Sequence, residues 1–314
     1  MSRSTTTRHE KAFTLIELLI VVAIIALLIS ILIPALYAAR NEGTKTVCLA
    51  ALKQIMSCNN MYDTDNGDTR IIPWYHLKEQ RGYMVPVYGT GEGMYDDPMI
   101  VTPWVFGGFR APRPAVFASA DSSIYPANFR PLNKYLDPTA HCDEGNGFDR
   151  GKDVIKAYVC PADRYNAVGM IGLPSEILAT TENSAPSYEA NGSSFTLNTR
   201  WLQGYCDQGF NFSQWIYSAA ENRKALARIA RTTVGGAAAR FIQWCEVGFY
   251  SATHNAAEQS QWGSAPPQRV GWHRKYSAWS GCFADGHAAY GYFDTRQVYG
   301  LGGTIWQPDF RRGH

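Results

Sequence analysis

The chain lacks several common signatures, and each absence excludes a class. No small-residue A-x-A site follows its long apolar run, so that run is not an ordinary cleaved secretory signal. No C-x-x-C occurs and no cysteines cluster with histidines, which argues against a structural zinc site. Neither sign of charge dominates: 29 basic residues face 27 acidic ones, for a net charge of +2. Nucleic-acid binding is therefore not expected as the main business. Charged residues make up only 18% of the chain, whereas Tyr, Phe, Trp, Gly and Pro are abundant. That balance suits a loop-rich, β-containing exported head better than a helical bundle.

The 314 residues are organised around their N-terminus. A short polar leader carries Arg3, Arg8 and Lys11. An apolar run follows from Phe13 to Ile33, interrupted by Thr14, Glu17 and Ser30. As a helix it is about 31 Å long, enough to cross a bilayer core. Lipid forces the backbone to bond internally, so helix is expected despite the many β-branched residues. The basic leader places the N-terminus in the cytoplasm and the remainder outside. Glu17 is out of place: a carboxylate one turn into a membrane helix is costly and needs a partner. Pro34 removes one N–H and is expected to kink the helix near Ser30.

Residues 35–62 continue as an amphipathic helix, with Cys48, Leu52, Ile55, Met56 and Asn59 on one stripe and Leu49 beside it. Arg40, Glu42, Lys45 and Lys53 lie off that stripe. Gly43 weakens the helix and permits bending. The helix is expected to stop in YDTDNGD, at Tyr62–Asp68. Asp63, Asp65 and Asp68 are weak candidates for calcium; the EF-hand spacing fails, and a solvated turn is the better reading.

Beyond the stem about 250 residues remain, enough for one large domain. Ile71–Trp74 reads as a short extended piece, and 81–139 as long surface loops rich in Gly, Pro and aromatics. Residues 141–153, including His141, Cys142 and Asp143, read as polar turn. Residues 154–161, 195–202 and 239–247 are strand-like. Residues 220–231 read as a short helix carrying Arg223, Lys224, Arg228 and Arg231, with Arg240 just beyond: a solvated face, or a phosphate-binding patch. The run 270–293 reads as a hairpin around Asp285-Gly286, with type I′ geometry expected for that pair. His273, Asp285 and His287 invite a catalytic or metal reading, but no nucleophile motif is placed to use them. Seven cysteines (48, 58, 142, 160, 206, 245 and 282) leave at least one unpaired. Cys48 and Cys58 are too far apart on one helix to bridge each other.

The stretch KAFTLIELLIVVAIIALLISILIPAL resembles the class III signal and stem of type IV pilins and type II secretion pseudopilins. The resemblance implies cleavage between Ala12 and Phe13 by a prepilin peptidase, followed by N-methylation of Phe13. Members usually have Gly before the cut, and Ala12 departs from that. Glu17 matches the carboxylate that pairs with the N-terminal amine of a neighbouring subunit during assembly, and Pro34 matches the proline that bends the stem. Trp272-His273 followed by Asp285-Gly286-His287, with the Cys160-Pro161-Ala162-Asp163 segment and the Cys48-to-Ile55 helix, is similar to a large-headed, planctomycete-type subgroup. That subgroup has nine residues between its His and Asp-Gly, and this chain has eleven.

The implied fold is α+β and pilin-like, a long N-terminal helical stem packed on an antiparallel sheet with long loops. The implied organisation is a leader at 1–12, a membrane and assembly helix at 13–62 and an exocytoplasmic head at 63–314. The implied function is a structural filament subunit, not an enzyme, without cofactor unless calcium binds. The expected partners are the prepilin peptidase/methyltransferase, other pilin subunits and inner-membrane lipid. No nucleic acid or small-molecule substrate is expected by default. Three other readings stay open: an anchored module binding polysaccharide or protein, a DNA-capturing minor pilin, and an anchored hydrolase.

Overall fold

The structure is a computed structural model that describes residues 14–66, 106–109, 127, 130–138, 154–163, 186–198, 242–247, 249, 271–273, 275, 276 and 278–293, with a short strand at 310–311. Ala12, Phe13, Asp68, the basic stretch 220–231 and the extended piece 71–74 lie outside the described residues. The chain forms two compact units, Met1–Gly43 and Thr44–His314.

The first helix, α1, spans Leu15–Asn66. It is assigned without a break through Pro34, although proline leaves the Ser30 carbonyl without its intrahelical donor. The division between the two units falls at Gly43, the one glycine of the helix. In the first unit the apolar side chains from Leu15 to Tyr37 are exposed, Leu15 at 80% and Leu36 at 71%. α1 is long and apolar enough to cross a membrane.

In the second unit α1 buries the expected stripe: Cys48, Leu52, Ile55, Met56 and Asn59. Ala51, Cys58 and Tyr62 widen it. Lys45, expected off the stripe, is buried too, because its ammonium caps the Tyr290 ring at 5.0 Å while its methylenes pack inside. At the far end Tyr62 meets Tyr135 edge-on at 6.2 Å, and the Tyr135 hydroxyl donates to Asp65 at 2.8 Å.

The head is built on an antiparallel sheet in the order β1-β2-β3-β4-β5: Phe195–Leu197, Ile242–Glu246, Ala278–Phe283, Ala288–Phe293 and Phe310–Arg311. This is the α+β arrangement the sequence implies. All of β1, β2 and β3 is buried, so both faces of the sheet centre are covered. Ile242, Cys245, Phe249, Trp279 and Phe283 form one core cluster, completed by Ala289. Trp244 and Trp279 are among the largest fully buried side chains. Wide aromatic rings fill this core where a sheet of short strands offers few side chains.

Three local expectations need correction. Residues 154–161 do not form a strand; Lys156–Tyr158 is a turn of 3-10 helix between extended flanks. The Phe106–Phe109 segment is buried rather than a surface loop, with both phenylalanines at 0% exposure. Asn133, on the short helix α2 (Asn133–Leu136), secures it by accepting from Gly108 N–H at 2.9 Å and donating to the Gly108 carbonyl. Arg130 adds a bond to the Gly107 carbonyl at 2.8 Å. This satisfies a buried backbone that belongs to no sheet. The third correction concerns the β3–β4 hairpin. It forms as expected, but its loop has three residues, Ala284-Asp285-Gly286, rather than a two-residue turn. Phe283 accepts from Gly286 N–H and donates to the His287 carbonyl, both at 2.8 Å, with Gly286 at φ +90°. That is the geometry in which a left-handed glycine closes a three-residue loop.

Candidate functional site

Among the described residues two places concentrate chemistry, and they lie in different units. The first is the start of α1. Thr14 donates its backbone N–H and its hydroxyl to Glu17 Oε2, each at 2.9 Å, and its hydroxyl oxygen accepts the Glu17 N–H at 3.3 Å. This is a capping box, Thr-x-x-Glu, which satisfies otherwise orphaned groups of the first turn and places negative charge at the positive end of the helix. The resemblance implies a partner for Glu17 in a neighbouring subunit, and the structure adds a local one in Thr14. The local partner was legible in the Thr14–Glu17 spacing.

The second place is inside the head. Cys48 on α1 and Cys160 after the 3-10 turn form a disulfide with Cα atoms 5.2 Å apart, closing a separation of 112 residues. His273, ahead of β3, is 5% exposed and brings a ring nitrogen within 4.8 Å of both sulfurs. Its Nε2 lies 3.4 Å from Glu246 Oε1 at the end of β2, and that oxygen also accepts Ser280 N–H at 3.1 Å. Among the described residues neither His273 ring nitrogen has a hydrogen-bond partner, and Tyr290 meets the ring edge-on at 5.4 Å. No local spacing announces this cluster, since its members come from three distant stretches.

His273 and the Asp285/His287 pair do not make one site. Asp285 and His287 pair with each other on the exposed hairpin loop, and the His287 ring stacks on Phe283 at 4.1 Å. Gly286 serves that loop. Of the calcium candidates, Asp65 is engaged by Tyr135, and Asp63 and Asp65 end a helix rather than form a loop. Cys58, Cys245 and Cys282 are free and buried. Burial pushes the Cys58 thiol up to about 11 and the Cys282 thiol up to about 12, which makes both inert.

Residues 7–33 match the family model of the prokaryotic N-terminal methylation motif. The type IV wide pilus major component PilA4 of Thermus thermophilus is 52% identical over 59 residues, which cover 19% of this chain and 45% of that protein. Residues 7–33 thus carry the methylation motif, and 59 residues of the chain are similar to a type IV pilin. The match to this curated relative spans less than half of the relative's length. The motif residues include Ala12, Phe13 and Glu17, and Pro34 lies just beyond them. No solved structure matches the chain.

Proposed function

We propose that this chain is a filament subunit, a pseudopilin or minor pilin of a type IV pilus or type II secretion assembly. The observation that carries the reading is the first unit of α1. Within a matched methylation motif, an apolar helix is exposed on every side and bears one carboxylate at its capped start. Such a helix needs lipid around it first and other helices afterwards. In this reading the leader stays in the cytoplasm and the inner membrane stores the subunit. A prepilin peptidase cuts between Ala12 and Phe13, and a methyl group is added to the Phe13 amine. Glu17 then exchanges part of its Thr14 contact for the amine of a neighbouring subunit, which compensates a carboxylate held in an apolar surround. Pro34 lets the stem adapt in the filament. Identical contacts repeated head-to-tail do not close, so they generate an open helical assembly.

Shearing cells and pelleting the released material tests this. The account expects the chain, in its shortened form, in the filament fraction. A chain found wholly as a detergent-soluble membrane monomer would favour an anchored binding module instead.

A further inference from the structure

We propose that Cys48, Cys160 and His273 form a binding site for one borderline transition-metal cation of the Zn2+ type when the two cysteines are thiols, and that the disulfide is the metal-free state of the same site. The inference goes beyond the filament role and does not depend on it.

Four observations carry it. The donor set is two sulfurs and one imidazole nitrogen, all within 4.8 Å of one another and all buried. Sulfur and imidazole donors select zinc-like ions over calcium or magnesium, and three protein ligands leave the fourth tetrahedral position for water. His273 is buried with no hydrogen bond at either nitrogen among the described residues, a costly arrangement that a coordinate bond would relieve. Glu246 lies against the ring at 3.4 Å and is itself fixed by Ser280 N–H, the kind of outer carboxylate that orients a metal-bound histidine. Finally, charge balances: two thiolates and the Glu246 carboxylate oppose the Lys45 ammonium beside Tyr290 and one divalent cation.

The chemistry is self-consistent. Metal uptake releases two thiol protons for one cation. Oxidation forms the Cys48–Cys160 bond by exchange with a disulfide-bearing oxidant. That oxidant takes two electrons from the thiolates and two protons from solvent and becomes a dithiol, while the cation leaves hydrated. Because α1, the segment after the 3-10 turn and the segment before β3 each contribute one ligand, the ion would hold the stem helix to the head before the disulfide does.

The full-length protein in detergent, reduced with dithiothreitol and exchanged anaerobically into buffer, is titrated with Co2+ alone. One equivalent should bind with a thiolate-to-cobalt charge-transfer band and a tetrahedral visible spectrum. The oxidised protein should give neither. Cys48→Ser and His273→Ala should lose the site, Cys58→Ser should keep it, and Glu246→Gln should weaken it about 10- to 100-fold. Added Zn2+ should raise the melting temperature of the reduced chain and not that of the oxidised chain. Cobalt binding unchanged in His273→Ala would overturn the proposal. So would a reduced chain that binds no cobalt, or one that unfolds as readily with Zn2+ as without it.

Discussion

Thr14 and Glu17 hold each other at the start of α1: both donors of Thr14 reach one carboxylate oxygen at 2.9 Å. The carboxylate that the filament reading assigns to a neighbouring subunit is therefore already placed by its own helix. In that reading the cap holds the carboxylate in one rotamer before the amine arrives. The two roles separate by mutation. Thr14→Ala removes the cap and leaves the charge, so it should reduce incorporation into filaments only partly. Glu17→Ala removes both, so it should leave the protein in the membrane and block assembly. Immunodetection in sheared filament fractions reads the difference, and normal incorporation of Glu17→Ala would refute the assembly role of Glu17.

The Cys48–Cys160 bridge ties α1 to the head across 112 residues. Chain-entropy reasoning gives a loop of that length about 4–5 kcal/mol of stabilisation, a ceiling that residual structure in the unfolded chain lowers. The double substitution Cys48→Ser/Cys160→Ser should lower the denaturant midpoint of the head, and reducing the wild type should lower it equally. A midpoint indifferent to both would mean the bridge contributes nothing.

Gly192 and Gly286 make a matched pair. Both adopt left-handed backbone, φ +80° and +90°. Gly192 follows the short helix α3 (Ser187–Asn191) and donates its N–H to the Tyr188 carbonyl at 2.9 Å, in the position where glycine ends helices. An added Cβ there would lie 1.8 Å from the Phe109 carbonyl oxygen, whereas at Gly286 it meets nothing within 4 Å. Gly286→Ala should therefore cost about 1 kcal/mol of backbone strain. Gly192→Ala should cost clearly more, since backbone must move. Equilibrium unfolding of both variants checks the order, and equal losses would contradict it.

Asp163 is buried and accepts Ser187 N–H at 2.9 Å, Tyr188 N–H at 3.0 Å and the Ser194 hydroxyl at 2.7 Å. Burial pushes its carboxyl up to about 7, against the pull of those donors. The folded chain then keeps a proton that the unfolded chain releases near pH 4. Stability from this group is fully present below about pH 4 and is lost as pH rises toward 7, with no further change above. Asp163→Asn should flatten that slope in unfolding measured across pH 4–8. A wild-type profile that rises over the same range would contradict the assignment.

The stem was legible because its signals are local. Length, hydropathy, the capping spacing and the Cys48–Asn59 stripe all lie within one helix. The hairpin was legible for the same reason, although its loop has three residues and closes on Gly286 at φ +90°. In the head interior β1 and β2 fall within the strand-like stretches 195–202 and 239–247, but other parts were not legible. Phe106-Gly107-Gly108-Phe109 looks like a loop, and it is one, but Asn133 and Arg130 supply its bonds from elsewhere and allow it to be buried. Lys45 lies off the apolar stripe in the sequence, and its burial depends on the ring of Tyr290, which is distant in the chain. The Cys48, Cys160 and His273 cluster depends entirely on long-range packing, which spacing does not encode.

The measurement that bears most directly on the central claim is the intact mass and N-terminal sequence of the protein from native membranes. The account predicts a chain that starts at Phe13 and carries one added methyl group. A chain that retains residues 1–12 would contradict it, leaving an anchored protein whose function resides in the head.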